Sequence, residues 1–483
     1  MKATLISLEP TPLAKAAGRP SLTPELLAAT IARCSRNNEG FESILAMVKD
    51  VIDRHGTERA VDAVFRFIDY GHASIGDICP VAIFLDKISI WLAYEIWSQC
   101  PTRIDLPIYG VNADPVEDEF LGGQESSTRY IQMSSEGLPS FETLGVPFGL
   151  SGHWEIVMRR LFEAYDDASK FWQQVAQKDP SVMRIPQSLL DDKSEKAQKQ
   201  VLRMQRNYVF DRARYFLPVA ALTSMAMVMP ARTWAALCRY LDSYPLPEYK
   251  NIANLIRKEL ALASPNLIRH STSTQQCAEA ILSELQDYSG LVVTPMTKEV
   301  TPTPSLLVYA DPQFGQDNKA LDQVFAKDLR FHKNRYDPFG RSLRSTAVRF
   351  GWNAVALAEI RDLNRHRTGD KDAPPVPLGF YGASDQYKGF PTGLLDIGYG
   401  ACASARGMLA KKEWCYPYFM PLGVQFRFSH VTLASKFIYE AELRTGTGSH
   451  YRYAKHLRDV LQLWYEMFPS TKGLILEGSA EPE

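Results

Sequence analysis

The sequence predicts a largely helical α+β fold made of two diverged copies of one domain. Three observations carry this expectation. Apolar residues recur at three- and four-residue spacing along most of the chain, whereas strand-like runs are few. A stretch rich in proline and threonine, QDYSGLVVTPMTKEVTPTPS at 286–305, interrupts the helical pattern. On either side of it, two features recur in the same order.

Taken from the N-terminus, helical spacing covers residues 42–54, 60–70, 81–99, 154–178, 232–241 and 250–262. It returns over 342–364, where Leu343, Ala347, Phe350, Ala354, Leu357 and Ile360 mark one stripe. The clearest strands are 290–294 and 306–309. The connector at 286–305 separates a first repeat, 1–285, from a second, 306–483. The first recurring feature is a helix ending near a turn, ISIWLAYEIWSQCPTR and then VALAEIRDLNRHR. The second is a short stretch closing on an aromatic, SSTRY and then PLGFY. This period exceeds that of any solenoid, so two copies of one domain is the reading.

The chain has 483 residues, 45% hydrophobic and 23% charged, which suits a globular protein with two or three cores. A formal net charge of -1 and a sequence pI near 6.8 give no global field toward nucleic acid or an anionic membrane, so any anion site is local. The N-terminal apolar run is too short for a signal-peptide core, and no later run is long enough to span a bilayer. A cytoplasmic protein is therefore expected. Seven scattered cysteines without a CxxC pair argue against a metal site and against a disulfide framework.

Four stretches carry candidate chemistry. Arg365, His366 and Arg367 close the 342–364 segment, and Thr368-Gly369 with the prolines at 374, 375 and 377 stop any helix there. Cations at a helix C-terminus complement its dipole, but successive residues point about 100° apart, so all three cannot serve it equally. GGQESSTRY offers Ser126, Ser127, Thr128 and Arg129 as phosphate donors beside the Tyr130 ring; a polar turn entering a strand uses the same residues. In ELRTGTGSHYR, Gly446 and Gly448 break one helix and Ser449 can cap the next, beside Arg444 and Arg452; an ordinary capped turn also fits. His72, in YGHASIGD, lies between residues small enough for a flat ring to approach, or is a structural histidine. No GxGxxG, Walker loop or HExxH is present; GYGACASARG has the wrong spacing.

Together these stretches resemble the flavin-dependent thymidylate synthases, whose signature is an RHR triplet followed by SxRY. RHR is intact as Arg365-His366-Arg367, but the segment after it has Leu378 and Phe380 where the family has serine and arginine. SSTRY keeps Ser127, Arg129 and Tyr130, whereas aligning EIWSQCPTR on EIRDLNRHR puts Pro101, Thr102 and Arg103 at the triplet. AATIARCSRNNEGFES, GHASIGD, FLP, PARTWAALCRYL and ELRTGTGSHYR also resemble family segments, with His450 where the family usually has glutamine.

The resemblance implies methylation of dUMP at C5, with FAD as cofactor and methylenetetrahydrofolate and NADPH as co-substrates. It implies that His72, Arg365, His366 and Arg367 contact flavin or folate. Ser127, Arg129, Tyr130, Arg232 and Arg444 would hold the nucleotide, with Arg129 and Arg367 acting in catalysis. Such chemistry needs no protein nucleophile and depends on orientation and on stabilising charge that develops on the pyrimidine. The family builds its sites between subunits of a homotetramer, so a tandem chain is expected to form a homodimer. A pyrimidine nucleotide is the expected partner, and a nucleic-acid partner is disfavoured. The alternative is a noncatalytic paralogue that keeps a nucleotide or flavin pocket as a binding module.

Overall fold

The computed structural model describes residues 1–34, 41–56, 77–99, 122–135, 138–266, 268, 271–315, 317–366 and 368–478. Two antiparallel sheets organise these residues. The first has the order β1-β2-β4-β3, from β1 (Lys2–Ile6), β2 (Pro80–Ser89), β3 (Gly122–Glu125) and β4 (Leu222–Pro230). The second has the order β5-β6-β9-β7, from β5 (Pro304–Tyr309), β6 (Ala347–Ala356), β7 (Asp370–Asp372) and β9 (Val424–Leu433). Strand β8 (Gly379–Phe380) also pairs with β9.

The two sheets match residue for residue at their centres. Leu85 pairs with Met225 and Ile88 with Thr223 across a bulge in β2; Trp352 pairs with Phe428 and Val355 with Phe426 across a bulge in β6. Each bulged strand leads directly into a helix, Ile90–Ser98 or Leu357–Leu363. Each inner partner strand leads into a helix pair, Ala231–Ser243 with Pro247–Ala263, or Ala434–Thr445 with Tyr451–Met467. Pro218 and Pro421 bridge the halves, and Val219 N–H donates to Met420 O at 2.9 Å while Leu422 N–H donates to Leu217 O at 2.8 Å. Around that bridge Trp91 N–H reaches Val219 O and Ala358 N–H reaches Leu422 O, both at 2.9 Å. Trp91 therefore corresponds to Ala358, and the counterparts of Arg365 and His366 are Ser98 and Gln99. The sequence alignment placed at the triplet residues three positions too far on. By the same register Gln124, paired with Ala226, corresponds to Asp372, paired with Ser429. The second-half equivalent of SSTRY thus begins at Pro374, not at PLGFY.

Two helix expectations fail for one reason. Residues 81–99 and 342–364 each hold a strand followed by a helix. β2 and β6 are buried on both faces, with few exposed positions in either, so the alternation that marks a strand is absent from their sequences. Residues 290–294 are not a strand: the Gln275–Gly290 helix runs into them. Residues 42–54, 154–178, 232–241 and 250–262 are helical and 306–309 lies in β5, whereas 60–70 falls outside the described residues.

Buried Trp91, Trp172, Trp234, Trp352 and Trp464 anchor a core that runs through both halves. Phe380 is 2% exposed and clamped by glycines. A Cβ at Gly398 would lie 2.2 Å from Phe380 Cζ, and one at Gly423 would lie 2.4 Å from its Cε2. Gly398→Ala is expected to cost about 1–3 kcal/mol through overpacking, measured by urea unfolding, with Phe380→Leu in the same chain restoring part of it.

Candidate functional site

The β3 end, the turn after it, the end of the Leu357–Leu363 helix and the break at 446–450 meet in one cleft of about 250 Å³. Ser127, Arg129 and Tyr130 line it from the first half; Asp362, Arg365, Arg444 and Tyr453 line it from the second. The structure also brings in Arg335, which the sequence reading missed.

Local structure fixes each side chain. Ser127 ends the strand in a turn: its Oγ accepts from Arg129 N–H at 3.2 Å and its carbonyl from Ile131 N–H at 3.2 Å. Arg129, 9% exposed, grips Asp211 with a bidentate fork, Nε to Oδ1 at 2.7 Å and Nη2 to Oδ2 at 2.9 Å. It also donates to Gly448 O at 3.3 Å, so one guanidinium ties the front turn to the rear helix break. The Tyr130 ring lies 5.5 Å from that guanidinium. At the cleft floor Arg214 donates to Asp362 Oδ2 at 3.1 Å. Burial would raise the Asp362 carboxyl, but Arg214, Arg365, Arg129 and Arg444 hold it well below the usual carboxylate range.

Arg365 and His366 part company, as the helical angle between neighbours requires. Arg365 lines the cleft, 3.7 Å from Glu125 Oε2, and its Nε is buried without a partner among the described residues. His366 turns inward: its Nε2 accepts from Arg444 Nε at 2.6 Å, which leaves it neutral and makes it a support for Arg444. Beneath it His430 spans Thr368 O and Glu440, while Lys371 Nζ donates to His366 O at 2.5 Å. Arg444 also donates to Asp362 O at 2.9 Å, and its guanidinium lies 5.2 Å from the Tyr453 ring centre. Arg335 has no partner among the described residues.

Several expectations take a different form. Ser449 is not the cap: His450 caps the last helix, with Nδ1 accepting from Arg452 N–H at 3.2 Å, and Ser449 Oγ bonds to Leu443 O. His450, fully buried and pushed well below its ordinary value by burial, donates from Nε2 to Asp211 O at 3.0 Å. It therefore braces the residue that holds Arg129. Arg452 turns away to Asp385, at 3.2 Å, and to the Tyr381 ring. Arg232 is not brought to the cleft; its Nε pairs with Asp77 at 2.8 Å. His72 and Arg367 lie outside the described residues.

A family model for thymidylate synthase complementing protein matches residues 21–266, a span that holds both SSTRY and the PARTW segment. The chain belongs to this family. It is also similar to UPF0159 protein Ta1429 of Thermoplasma acidophilum, 22% identical over 488 residues, covering 87% of this chain and 89% of the relative. That likeness runs through both halves. Among the described residues, no helix is long and apolar enough to cross a membrane and no cluster of histidine, cysteine or acidic side chains suits a metal.

The buried group beneath the cleft sets an acid limit. Burial pushes the His366 imidazole down to about 3, with Arg444, Lys371 and His430 acting the same way against Glu440. The unfolded chain therefore takes up a proton near pH 6.5 that the folded chain refuses, so stability falls as pH drops below that value. Glu440 adds to the loss at lower pH: burial would raise it, but His366, His430 and Lys371 hold it at about 2. Urea unfolding at pH 7 and pH 5 is expected to show the decline, and His366→Gln should lessen it, with buried His450 keeping the remainder.

Proposed function

We propose that the chain is a tandem thymidylate synthase of the flavin-dependent type, with repeats at 1–285 and 306–483, that methylates a pyrimidine nucleotide of the dUMP class. The observation that carries this reading is the cleft in which the Ser127–Tyr130 turn of one half meets Arg365 and Arg444 of the other. On this reading each half has kept the part of the signature that the other lacks, and the shared lining of the cleft supports one site made from the two.

The residues suit a nucleotide monophosphate. Arg335, Arg365 and Arg444 face the cleft with unused donors, and the buried Nε of Arg365 gains a partner when a phosphate oxygen enters. Ser127 adds a hydroxyl, and Tyr130 and Tyr453 provide rings for a base to lie against. Arg129, fixed by Asp211 and Gly448 O, is the cation suited to stabilise charge on a pyrimidine carbonyl, because its orientation is set before the substrate arrives. FAD, when bound, supplies the reducing equivalents, recharged by NADPH, for a carbon donated by methylenetetrahydrofolate. Arg365 is the described residue of the flavin set that reaches the cleft; His366 acts behind it by holding Arg444. Two tandem chains would reproduce the four-domain assembly that the resemblance implies, as a homodimer.

The sheet register favours a division of labour between the halves. Where the cleft has Arg365 and the Ser127–Arg129 turn, the corresponding positions of the opposite halves hold Ser98 and Pro375–Pro377. The reading therefore predicts one nucleotide per chain. Calorimetric titration of the FAD-loaded protein with dUMP should give a stoichiometry near one, and chromatography should detect dTMP once NADPH and methylenetetrahydrofolate are added. A colourless protein that takes up no FAD defeats the reading; nucleotide binding without dTMP favours the noncatalytic paralogue.

A further inference from the structure

The counterpart of the arginine-lined cleft in the other half is a second cavity, of about 180 Å³. The sheet register makes the correspondence explicit. Glu95 stands where Asp362 stands, Ser98 where Arg365 stands, Tyr240 where Leu443 stands and Pro375 where Ser127 stands; all eight line their respective cavities. The chemistry is reversed. Glu95, Glu284 and Asp372 line the second cavity with the rings of Tyr94, Tyr240, Tyr244 and Tyr288. The one cation among its described lining residues, Lys371, turns its ammonium away to the carbonyls of His366 and Thr368.

We propose that this cavity binds a small organic cation carrying N–H groups, an alkylammonium or a guanidinium, using Glu95 as counter-ion and the tyrosine rings as walls. Three observations select that class. Glu95 is 8% exposed and accepts from Tyr240 OH at 2.9 Å, so the carboxylate is presented by a fixed neighbour. The side-chain carbonyl of Asn364, a residue 7% exposed that lines the same cavity, has no hydrogen-bond partner among the described residues; it calls for a donor, which an anion or a hydrocarbon cannot supply. Tyrosines grouped beside a carboxylate suit an organic cation, whereas the described residues hold no cluster suited to a metal ion.

The Gln275–Gly290 helix completes the cavity with Glu284 and Tyr288, elements that have no place at the other cleft. Burial pushes Glu95 up to about 7, with Tyr240 opposing and Glu284 adding to the rise. The groups lining the cavity with it are Tyr94 on its own helix, Tyr240 and Tyr244 on one side, Glu284 and Tyr288 on the Gln275–Gly290 helix, and Asp372 beside the turned-away Lys371. An arriving cation favours the ionised carboxylate, so its affinity should increase between pH 6 and pH 8. The two cavities share a wall, for Asn364 faces this one while its neighbour Arg365 faces the nucleotide cleft.

The test is calorimetric titration of the full chain with n-butylammonium chloride, and with n-butanol and magnesium chloride as comparisons. Saturable binding of butylammonium alone is expected, weakened about tenfold by Glu95→Gln and several-fold by Glu284→Gln. Glu284 is exposed on its helix, so that variant reports even where Glu95→Gln does not fold. Absence of saturable butylammonium binding overturns the proposal, as does equal binding of butanol or an affinity unchanged in both variants. Titration with dUMP reads the other cleft separately, so the two readings fail independently.

Discussion

Arg129→Gln is expected to lower folding stability by about 3–5 kcal/mol and to weaken dUMP binding about a hundredfold. The first effect follows from what the change leaves behind. Asp211 has a side chain only 5% exposed, and both of its oxygens are occupied by the Arg129 fork. Without the guanidinium it is an uncompensated buried carboxylate. The second effect follows from the loss of a cation whose direction Asp211, Gly448 O and, through Asp211, His450 determine. The two effects separate in a paired replacement. Arg129→Met together with Asp211→Leu removes both charges, so stability should return toward the starting value while dUMP binding stays lost. Arg129→Lys keeps the charge without the planar fork and should give intermediate affinity. Denaturant unfolding and dUMP calorimetry on the same preparations check all three.

Glu248→Ala should be the most damaging single change away from the cleft, costing about 3–5 kcal/mol. Glu248 is 1% exposed and accepts three bonds: Ser89 N–H at 2.9 Å, Ser89 Oγ at 2.8 Å and Tyr418 OH at 2.6 Å. Its removal leaves buried donors from both halves unsatisfied. The mirror arrangement is Tyr215 OH donating to Glu359 Oε1 at 2.6 Å, while Glu359 also accepts from Ala356 N–H at 3.1 Å. Each half thus sends the tyrosine immediately before its FLP or FMP segment to a glutamate of the other half. That glutamate in turn secures the start of the helix after the bulged strand. Tyr418→Phe and Tyr215→Phe should each cost about 1–3 kcal/mol, because each leaves the glutamate its local bonds. Unfolding by urea, followed by tryptophan fluorescence, measures the series.

The cleft was legible in short motifs, because SSTRY, RHR and ELRTGTGSHYR each carry their own donors and breaks. What joins them was not. Asp211 and Asp362 act through contacts far apart in sequence, Arg335 reaches the cleft from a separate segment, and no local spacing marks Asp211 as the partner of Arg129. Asp362 could have been found, since it sits one turn before Arg365 on the same segment. The bulged strands hid inside helical expectations because burial on both faces erases their alternation. The shared Glu-Ile pair drew Glu95 onto Glu359, one turn away from its structural equivalent, Asp362. That slip concealed the second cavity, whose character depends on Glu95 standing where the other half has an aspartate ringed by arginines.

A double-mutant cycle across the halves tests the central claim most directly. Ser127→Ala and Arg365→Gln, alone and together, are to be read by the dissociation constant for dUMP. A cleft shared by the two halves predicts that each change weakens binding and that the pair is non-additive by about 0.5–3 kcal/mol, because both contact one nucleotide. Strict additivity, or an affinity indifferent to either residue, would contradict it.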